Sequence, residues 1–170
     1  MWKNLLSPNL LLASLLTFSG VASALDSDRK QPVSLEADSA VMDEAKGHHI
    51  YSGNVVVTQG SMIIQADSIE IFMDANNNID RFLAKGNSTT QAHLKQTAES
   101  DKSVLEAWAD DLVYNVTKDV IILTGQAALH QHGNQFSGDK IHYSVADEQV
   151  QATAKPNTKQ RVKMIFNPGS

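Results

Sequence analysis

The chain has 170 residues, of which 42% are hydrophobic, and a formal net charge of −5. Its size and composition are typical of one globular domain with a sizeable apolar core. Fourteen basic against nineteen acidic side chains, with no basic run, argue against the electropositive surface that holds nucleic acid, so no nucleic-acid partner is predicted. The absence of cysteine excludes disulfides, cysteine-ligated metals and thiol nucleophiles.

Residues 1–24 have the three parts of a secretory signal peptide. Lys3 lies in a short n-region, Leu10–Phe18 is an apolar h-region, and Ala22 and Ala24 form an A-x-A cleavage site. The apolar run is too short to cross ~30 Å of hydrocarbon, which argues against a membrane anchor. The sequence therefore predicts cleavage after Ala24, with residues 25–170 forming a single exported domain.

From Val33 onward, short segments of alternating or β-branched apolar residues are separated by clusters of Gly, Asn and Asp, a spacing typical of all-β domains. No segment has a sustained 3.6-residue apolar stripe. A first strand is expected near Val33 to Ala37. The clearest strands after it are Tyr51–Thr58, Met62–Ala66, Ser68–Met73, Asp111–Val116, Val120–Gln131 and Arg161–Phe166.

The chain also repeats itself at an offset of 72 residues. Ser52-Gly53-Asn54-Val55 aligns with Thr124-Gly125-Gln126-Ala127, and Ala66-Asp67 aligns with Gly138-Asp139. The same offset relates Asp38 to Asp110. The sequence therefore predicts two duplicated halves of short antiparallel strands.

Each small residue followed by Asp suits a corner where one strand ends and the next begins, since Asp can cap local backbone N–H groups. Asp38, Asp67, Asp110 and Asp139 are accordingly predicted to be structural. Alternation beyond these corners and in the glycine-containing strands predicts one strongly apolar face, which includes Val55, Val57, Ile69, Ile71, Tyr114, Leu123, Leu129 and Ile141. From composition alone, such residues are the ordinary core of a two-sheet fold.

The sequence offers no convincing catalytic or cofactor site. His48-His49 and His130-x-His132 suggest a metal site, but neither pair has an obvious third carboxylate ligand nearby, so no metal is predicted. Adjacent acids such as Asp110-Asp111 point to opposite faces of a strand and cannot flank one bond. Nucleophile-elbow and P-loop motifs are absent, and neither an enzyme nor a cofactor is expected. A secreted structural or carbohydrate-binding β protein remains the alternative class.

Taken in order, Tyr51-Ser52-Gly53-Asn54-Val55-Val56-Val57-Thr58-Gln59-Gly60, Ala66-Asp67, Val120-Ile121-Ile122-Leu123-Thr124-Gly125 and Gly138-Asp139-Lys140-Ile141 resemble the OstA-like (LptA) family of periplasmic lipopolysaccharide-transport proteins. Gln31-Pro32-Val33-Ser34-Leu35-Glu36-Ala37-Asp38 also fits this family. The resemblance covers residues 31–166, and the ordered combination is more specific than any one motif.

The resemblance implies a twisted β-jellyroll, open at both ends, whose apolar lumen receives the acyl chains of lipopolysaccharide. By motif, the lumen positions are Val33, Leu35, Tyr114 and Val116. The resemblance further implies a periplasmic protein whose copies join head to tail. Such a chain bridges the inner-membrane complex through LptC and the outer-membrane translocon through LptD.

Unpaired terminal strands supply a physical basis for such self-association, because exposed strand edges invite pairing with another chain. The first and last strands differ in sequence, so their contact would be heterologous and would propagate. Alternate side chains of the last strand would fix the register of strand addition. The predicted interface residues are Val162, Met164 and Phe166.

Overall fold

The computed structural model describes residues 28–97 and 102–167. Its strands in these ranges pair antiparallel throughout, which confirms the all-β prediction. They are β1 Val33–Glu36, β2 Ser39–Asp43, β3 His48–Gln59, β4 Met62–Met73, β5 Ile79–Lys85, β6 Ala92–Thr97, β7 Val104–Ala109, β8 Asp111–Asn115, β9 Val120–Gln131, β10 Asn134–Ser144, β11 Gln149–Thr153 and β12 Lys163–Ile165. The predicted signal peptide, residues 1–24, lies outside the described residues.

The predicted strand boundaries agree best where apolar residues are dense. Val120–Gln131 coincides with β9, whereas the last predicted strand, Arg161–Phe166, is reduced to the three residues of β12. The separation of Met62–Ala66 from Ser68–Met73 was wrong, because both belong to the continuous strand β4. The strands β2, β5, β6, β7, β10 and β11 were not predicted individually.

Four strands, namely β3, β4, β9 and β10, have eleven or twelve residues and extend through the whole sheet. Each pairs along one side with two short strands in succession. For example, β4 pairs with β6 through residues 63–65 and with β5 through residues 68–73. The sheet therefore has two arms that share the four long strands: a β1 arm completed by β1, β6, β7 and β12, and a β2 arm completed by β2, β5, β8 and β11.

The arms meet at a crease in the middle of the long strands. In β3, Gly53 and Asn54 together oppose Asp67 of β4, so two residues face one in a β-bulge. Both bulge residues have positive φ, 82° for Gly53 and 48° for Asn54. A bulge bends the strand that contains it and increases its twist. The crease is therefore part of the backbone and does not depend on loop contacts alone.

An aspartate between the short strands packs onto each bulge. The Asp38 N–H donates a 3.0 Å hydrogen bond to the Gly53 carbonyl, and the Asn54 amide donates one of 2.9 Å to the Asp38 carboxylate. A Cβ added to Gly53 would overlap that carboxylate. Glycine is required at Gly53 both for its positive φ and for this close approach.

The second half repeats the bulge and the backbone hydrogen bond that supports it. Gly125 and Gln126 have φ of 79° and 48°, they oppose Asp139, and the Asp110 N–H donates a 3.0 Å hydrogen bond to the Gly125 carbonyl. The pairings of β1 and β2 with β3 recur as those of β7 and β8 with β9. The predicted duplication into two halves is therefore confirmed at the level of strands and bulges.

The prediction of a strand corner is wrong for two of the four aspartates. Asp38 and Asp110 lie between short strands as predicted, but Asp67 and Asp139 lie inside β4 and β10. These long strands continue because their partners β3 and β9 continue beside them, and the interruption falls on the opposite side, where one short strand replaces another. The Asp67 carboxylate accepts a 3.0 Å hydrogen bond from the Asn87 amide of the loop that makes this replacement.

We expect Gly53→Ala to lower the free energy of unfolding by ~2–3 kcal/mol, through positive-φ strain and the clash with Asp38. In an Asp38→Gly background, which removes the Asp38 Cβ together with the carboxylate, the clash disappears and only the positive-φ strain remains, so the same substitution should cost only ~1 kcal/mol. Urea unfolding of the four chains measures this coupling. Equal costs in both backgrounds would contradict the proposed packing of Asp38 on Gly53.

Candidate functional site

Inward side chains form rows that cross the sheet from one end to the other, one residue per strand. Each row is defined by the pairing register, since directly opposite residues share a face. One row crosses the β1 arm through Leu35, Val57, Ile64, Leu94, Ala107, Leu129, Phe136 and Met164. Two rows cross the β2 arm, through Ala40, Tyr51, Ile69, Ala84, Leu112, Leu123, Ile141 and Ala152, and through Met42, His49, Ile71, Phe82, Tyr114, Ile121, Tyr143 and Val150.

The two arms pack against each other through these rows. Their middle members belong to one apolar cluster in which most side chains are fully buried. A single sheet would leave this face open to water, so its burial requires the second arm. The interior is thus an apolar layer between two arms that are joined along the crease.

The predicted lipid-contacting residues all belong to this interior or to its margin. Eight lie in the buried cluster: Val55, Val57, Ile69, Ile71, Tyr114, Leu123, Leu129 and Ile141. Val33, Leu35 and Val116 are partly buried and pack against the cluster. Val116 follows the end of β8, where its N–H donates a 2.8 Å hydrogen bond to the Asp80 carbonyl.

The rows are covered in the middle but open at both ends. At one end, Met42 of β2 is 56% exposed, and at the other, Met164 of β12 is 43% exposed. Phe166, immediately after β12, is 62% exposed and contacts Phe136 edge to face. Val162 precedes β12 and is half-buried. The predicted interface residues therefore lie in and beside the last strand, β12, at an end of the molecule that exposes apolar side chains.

Opposite the crease, the outer ends of the two arms approach each other along a seam. Residues 28–31, here called the strap, cross this seam. The Asp28 carboxylate accepts hydrogen bonds from the Ser61 N–H, the Ser61 hydroxyl and the Gln96 amide, at 3.0, 2.6 and 3.0 Å, all from the β1 arm. The next residue, Arg29, forms an ion pair with Asp119 in the β8–β9 turn of the β2 arm.

The charge state of Asp28 suits this role. Burial raises its pKa, but the hydrogen bonds from Ser61 and Gln96 outweigh burial and hold the pKa below the ordinary 3.8. The carboxylate is therefore ionised at neutral pH, and its acceptor capacity is used by the strap contacts. Among the described residues, Gln96 is the only polar residue that is buried, and its amide donates a hydrogen bond to the Asp28 carboxylate.

A second link between the arms lies in the other half. Tyr143 of the β2 arm is buried, and its hydroxyl is hydrogen-bonded by the Gln131 side chain at the end of the β1 arm. Burial raises the pKa of Tyr143 to about 12, although the Gln131 hydrogen bond lowers it. The phenol therefore remains neutral and closes the seam between the two ends of the β9–β10 hairpin.

An outer concavity of about 630 Å³ lies beside the crease, lined in part by Gln65, Asn87, Gln91 and Trp108. Two of its amides already have partners: Asn87 donates to Asp67, and Gln91 donates to Asp110 and to two carbonyl groups. These contacts hold the loop between β5 and β6 against the sheet. The concavity is explained by this support and is not the candidate site.

The histidines serve structural contacts on the surface and along the rows. His48 lies 2.8 Å from the Glu70 carboxylate and stacks on Phe72, and His130 contacts Trp108 edge to face. Among the residues described, no three His, Asp or Glu side chains are grouped to hold a metal ion. In the same ranges, no helix is long and apolar enough to cross a bilayer.

The fold and interior match known proteins over most of the chain. Residues 34–149 match the family described as LptA/(LptD N-terminal domain) LPS transport protein. LptH, a lipopolysaccharide export system protein of Pseudomonas aeruginosa, is 34% identical over 88% of this chain and 87% of its own length. LptA, the protein so described from Escherichia coli K12, is 36% identical over 97% of this chain and 87% of its own.

The crystal structure of Pseudomonas aeruginosa LptH superposes with a TM-score of 0.73 at 33% identity, covering 84% of this chain and 99% of that chain. It is described as the periplasmic, LptA-homologous component of a lipopolysaccharide transport device. The chain therefore belongs to the LptA/LptD N-terminal domain family, as its sequence resemblance predicted. The alternative of a structural or carbohydrate-binding protein is not favoured.

The strap and the seam were missed by sequence reasoning. Asp28 and Arg29 follow the predicted cleavage site closely and carry no apolar pattern that would link them to Gln96 or Asp119. The row mates on β5 and β6, such as Phe82 and Leu94, were also missed, because their strands contain charged residues and were not recognised.

We expect Tyr143→Phe to lose about 0.5–1.5 kcal/mol of stability at neutral pH, since the Gln131 hydrogen bond is removed. Above pH 10 the wild-type unfolded chain ionises at Tyr143 while the folded chain, with its pKa of about 12, does not, so wild-type stability falls. The deficit of the variant should therefore shrink between about pH 8 and about pH 11 in urea unfolding.

Gln131→Ala is the control for this experiment. It removes the same hydrogen bond but keeps the ionisable phenol, so its deficit should persist at high pH. A difference between wild type and Tyr143→Phe that stays constant across this range would show that burial of the phenol does not carry the effect.

Proposed function

We propose that this protein carries lipopolysaccharide through the periplasm by enclosing its acyl chains between the two arms, in an open-ended β-jellyroll. The observation that carries this proposal is the set of apolar rows that continue from end to end and are left uncovered at both ends. The choice of lipopolysaccharide as the ligand is supported by membership in a family of lipopolysaccharide transport proteins. A role in export is supported by the relatives that are named for lipopolysaccharide export.

Apolar burial is sufficient to hold such a ligand. Each acyl methylene removed from water contributes about 0.8 kcal/mol, so several chains bind strongly without an ionic contact. The lining residues proposed for this contact are Val33, Leu35, Val55, Val57, Ile69, Ile71, Tyr114, Val116, Leu123, Leu129 and Ile141. A surface without directional bonds also lets the ligand slide along the rows, which suits transport better than storage.

The uncovered ends support head-to-tail assembly of this chain. Inside the molecule, the first half meets the second through pairing of β5 with β8 and of β6 with β7. By the duplication, β2 and β1 correspond to β8 and β7, and β11 and β12 correspond to β5 and β6. The last strands of one copy can therefore pair with the first strands of the next in the same way that the halves already pair.

The internal junction supports one register for the proposed contact between copies. If the copies pair as the halves do, Met164 would lie opposite Leu35, Phe166 opposite Val33 and Val150 opposite Met42 of the next copy. Each of these pairs is apolar and continues an inward row. On the outer face the same register places Lys163 opposite Glu36. By family resemblance, LptC would meet the end formed by β1 and β2, and LptD would meet the end formed by β11 and β12.

A photocrosslinking amino acid at Tyr114 is expected to capture purified lipopolysaccharide, because Tyr114 lies in an inward row at the centre of the molecule. The matched control is Val113, its neighbour in β8, whose side chain lies on the opposite face. Capture is measured by the mobility shift of the crosslinked protein. Capture at Val113 in preference to Tyr114 would place the ligand on the outer face and would contradict the proposal.

Lys163→Glu should weaken self-association about fivefold, ~1 kcal/mol, because it places like charges opposite each other at the junction. Adding Glu36→Lys to the same chain should restore association, and Lys155→Glu serves as a control of equal charge change in an exposed segment outside the strands. Sedimentation velocity measures the association constants. Failure of the second substitution to restore assembly would contradict this register.

A further inference from the structure

The interior is filled with side chains, although the proposed ligand must enter it. Ile69, Leu123 and Leu129 are fully buried, and Ile71 and Tyr114 are no more than 5% exposed. Acyl chains cannot occupy space that is already packed at the density of a protein core. The arms must therefore separate before lipid can lie between them.

The two margins of the interior differ in how they can separate. At the crease, β3, β4, β9 and β10 pass from one arm to the other as continuous strands, so this margin is covalently closed. At the seam, the strand ends of the two arms face each other, and within residues 28–97 and 102–167 no strand of one arm pairs with a strand of the other there. Separation therefore widens the seam while the bulges at Gly53 and Gly125 flex.

The strap connects the arms where they would part. Its hold on the β1 arm is extensive, since Asp28 accepts three hydrogen bonds and the Gln59 amide donates to the carbonyl groups of Arg29 and Gln31, both at 3.1 Å. Its hold on the β2 arm is the Arg29–Asp119 ion pair. Both charged side chains keep more than a quarter of their surface exposed, although the contacting atoms, Arg29 Nη2 and Asp119 Oδ1, are buried. This single ion pair is therefore a smaller hold than the set of hydrogen bonds on the β1 arm.

We propose that the strap controls lateral access of acyl chains to the interior: the Arg29–Asp119 contact closes the seam at the β8–β9 turn and its release opens the seam there, while the Tyr143–Gln131 contact still joins the arms in the second half. The inference rests on the proposed function, because it assumes that lipid occupies the interior. The strap has more contacts with the β1 arm than with the β2 arm. When the ion pair breaks, the strap therefore stays on the β1 arm through Asp28 and Gln59, and the ion pair can form again.

The absence of cysteine in the chain permits a reversible test. Arg29→Cys and Asp119→Cys are combined in one full-length chain that carries the photocrosslinker at Tyr114. A short bis-methanethiosulfonate reagent then joins the strap to the β2 arm, and a reductant removes it. Capture of purified lipopolysaccharide is followed over time in the joined and in the reduced protein.

The joined protein is expected to capture lipopolysaccharide at least about tenfold more slowly than the same protein after reduction. The matched control is Arg29→Cys alone, treated with monofunctional methyl methanethiosulfonate and reduced in the same way, which modifies the strap without joining it to the β2 arm. This modification leaves the seam able to open, and the capture rate should change less than about twofold between the modified and the reduced protein. Equal rates in the joined and reduced Asp119→Cys protein would overturn the inference.

A complementary variant tests release without a crosslink. Asp119 has a positive φ of 54°, a conformation that asparagine also adopts readily, so Asp119→Asn removes the charge and preserves the turn. Its capture rate should rise about threefold or more while the urea midpoint changes little. An unchanged rate in this variant would contradict control by the ion pair. Absence of capture in wild-type and reduced proteins alike would instead refute the proposed function.

Discussion

The packing of an aspartate onto a glycine bulge, once in each half, is the constraint on which the rest of the molecule depends. Asp38 on Gly53 and Asp110 on Gly125 fix the line along which four long strands bend. Without the bend, the apolar face of one antiparallel sheet would remain open to water. With it, the same face is divided into two arms that cover each other, and a single sheet encloses an interior.

The bend also separates the functions of the two margins. One margin is continuous backbone, which the proposed opening uses as a hinge, whereas the other is closed by side-chain contacts. Rows of apolar residues run parallel to both margins, so the interior presents an apolar surface along its length. The proposed function therefore depends on the shape of the interior and on its edges.

Much of this arrangement could be predicted from the sequence. The alternation around Val55 and Val57 and the offset relating Gly53 to Gly125 predicted the inward face and the duplication. The rest could not be predicted, for physical reasons. Strand β4 was divided because Ala66-Asp67 has turn chemistry locally, yet β3 holds the strand extended. Strands β5 and β6 depend on neighbours in both halves, and the strap depends on contacts 33 to 68 residues distant for Asp28.

The duplication lowers the fraction of strands that are unpaired edges. In a lone unit, each arm would contain four strands and half of them would be edges; in the two-unit chain, each arm contains eight, and only a quarter are edges. Each added unit buries one more segment of every row and leaves the number of edges unchanged. The chain is thus a short segment of a one-dimensional lattice, and gene duplication can lengthen it without altering either terminal surface.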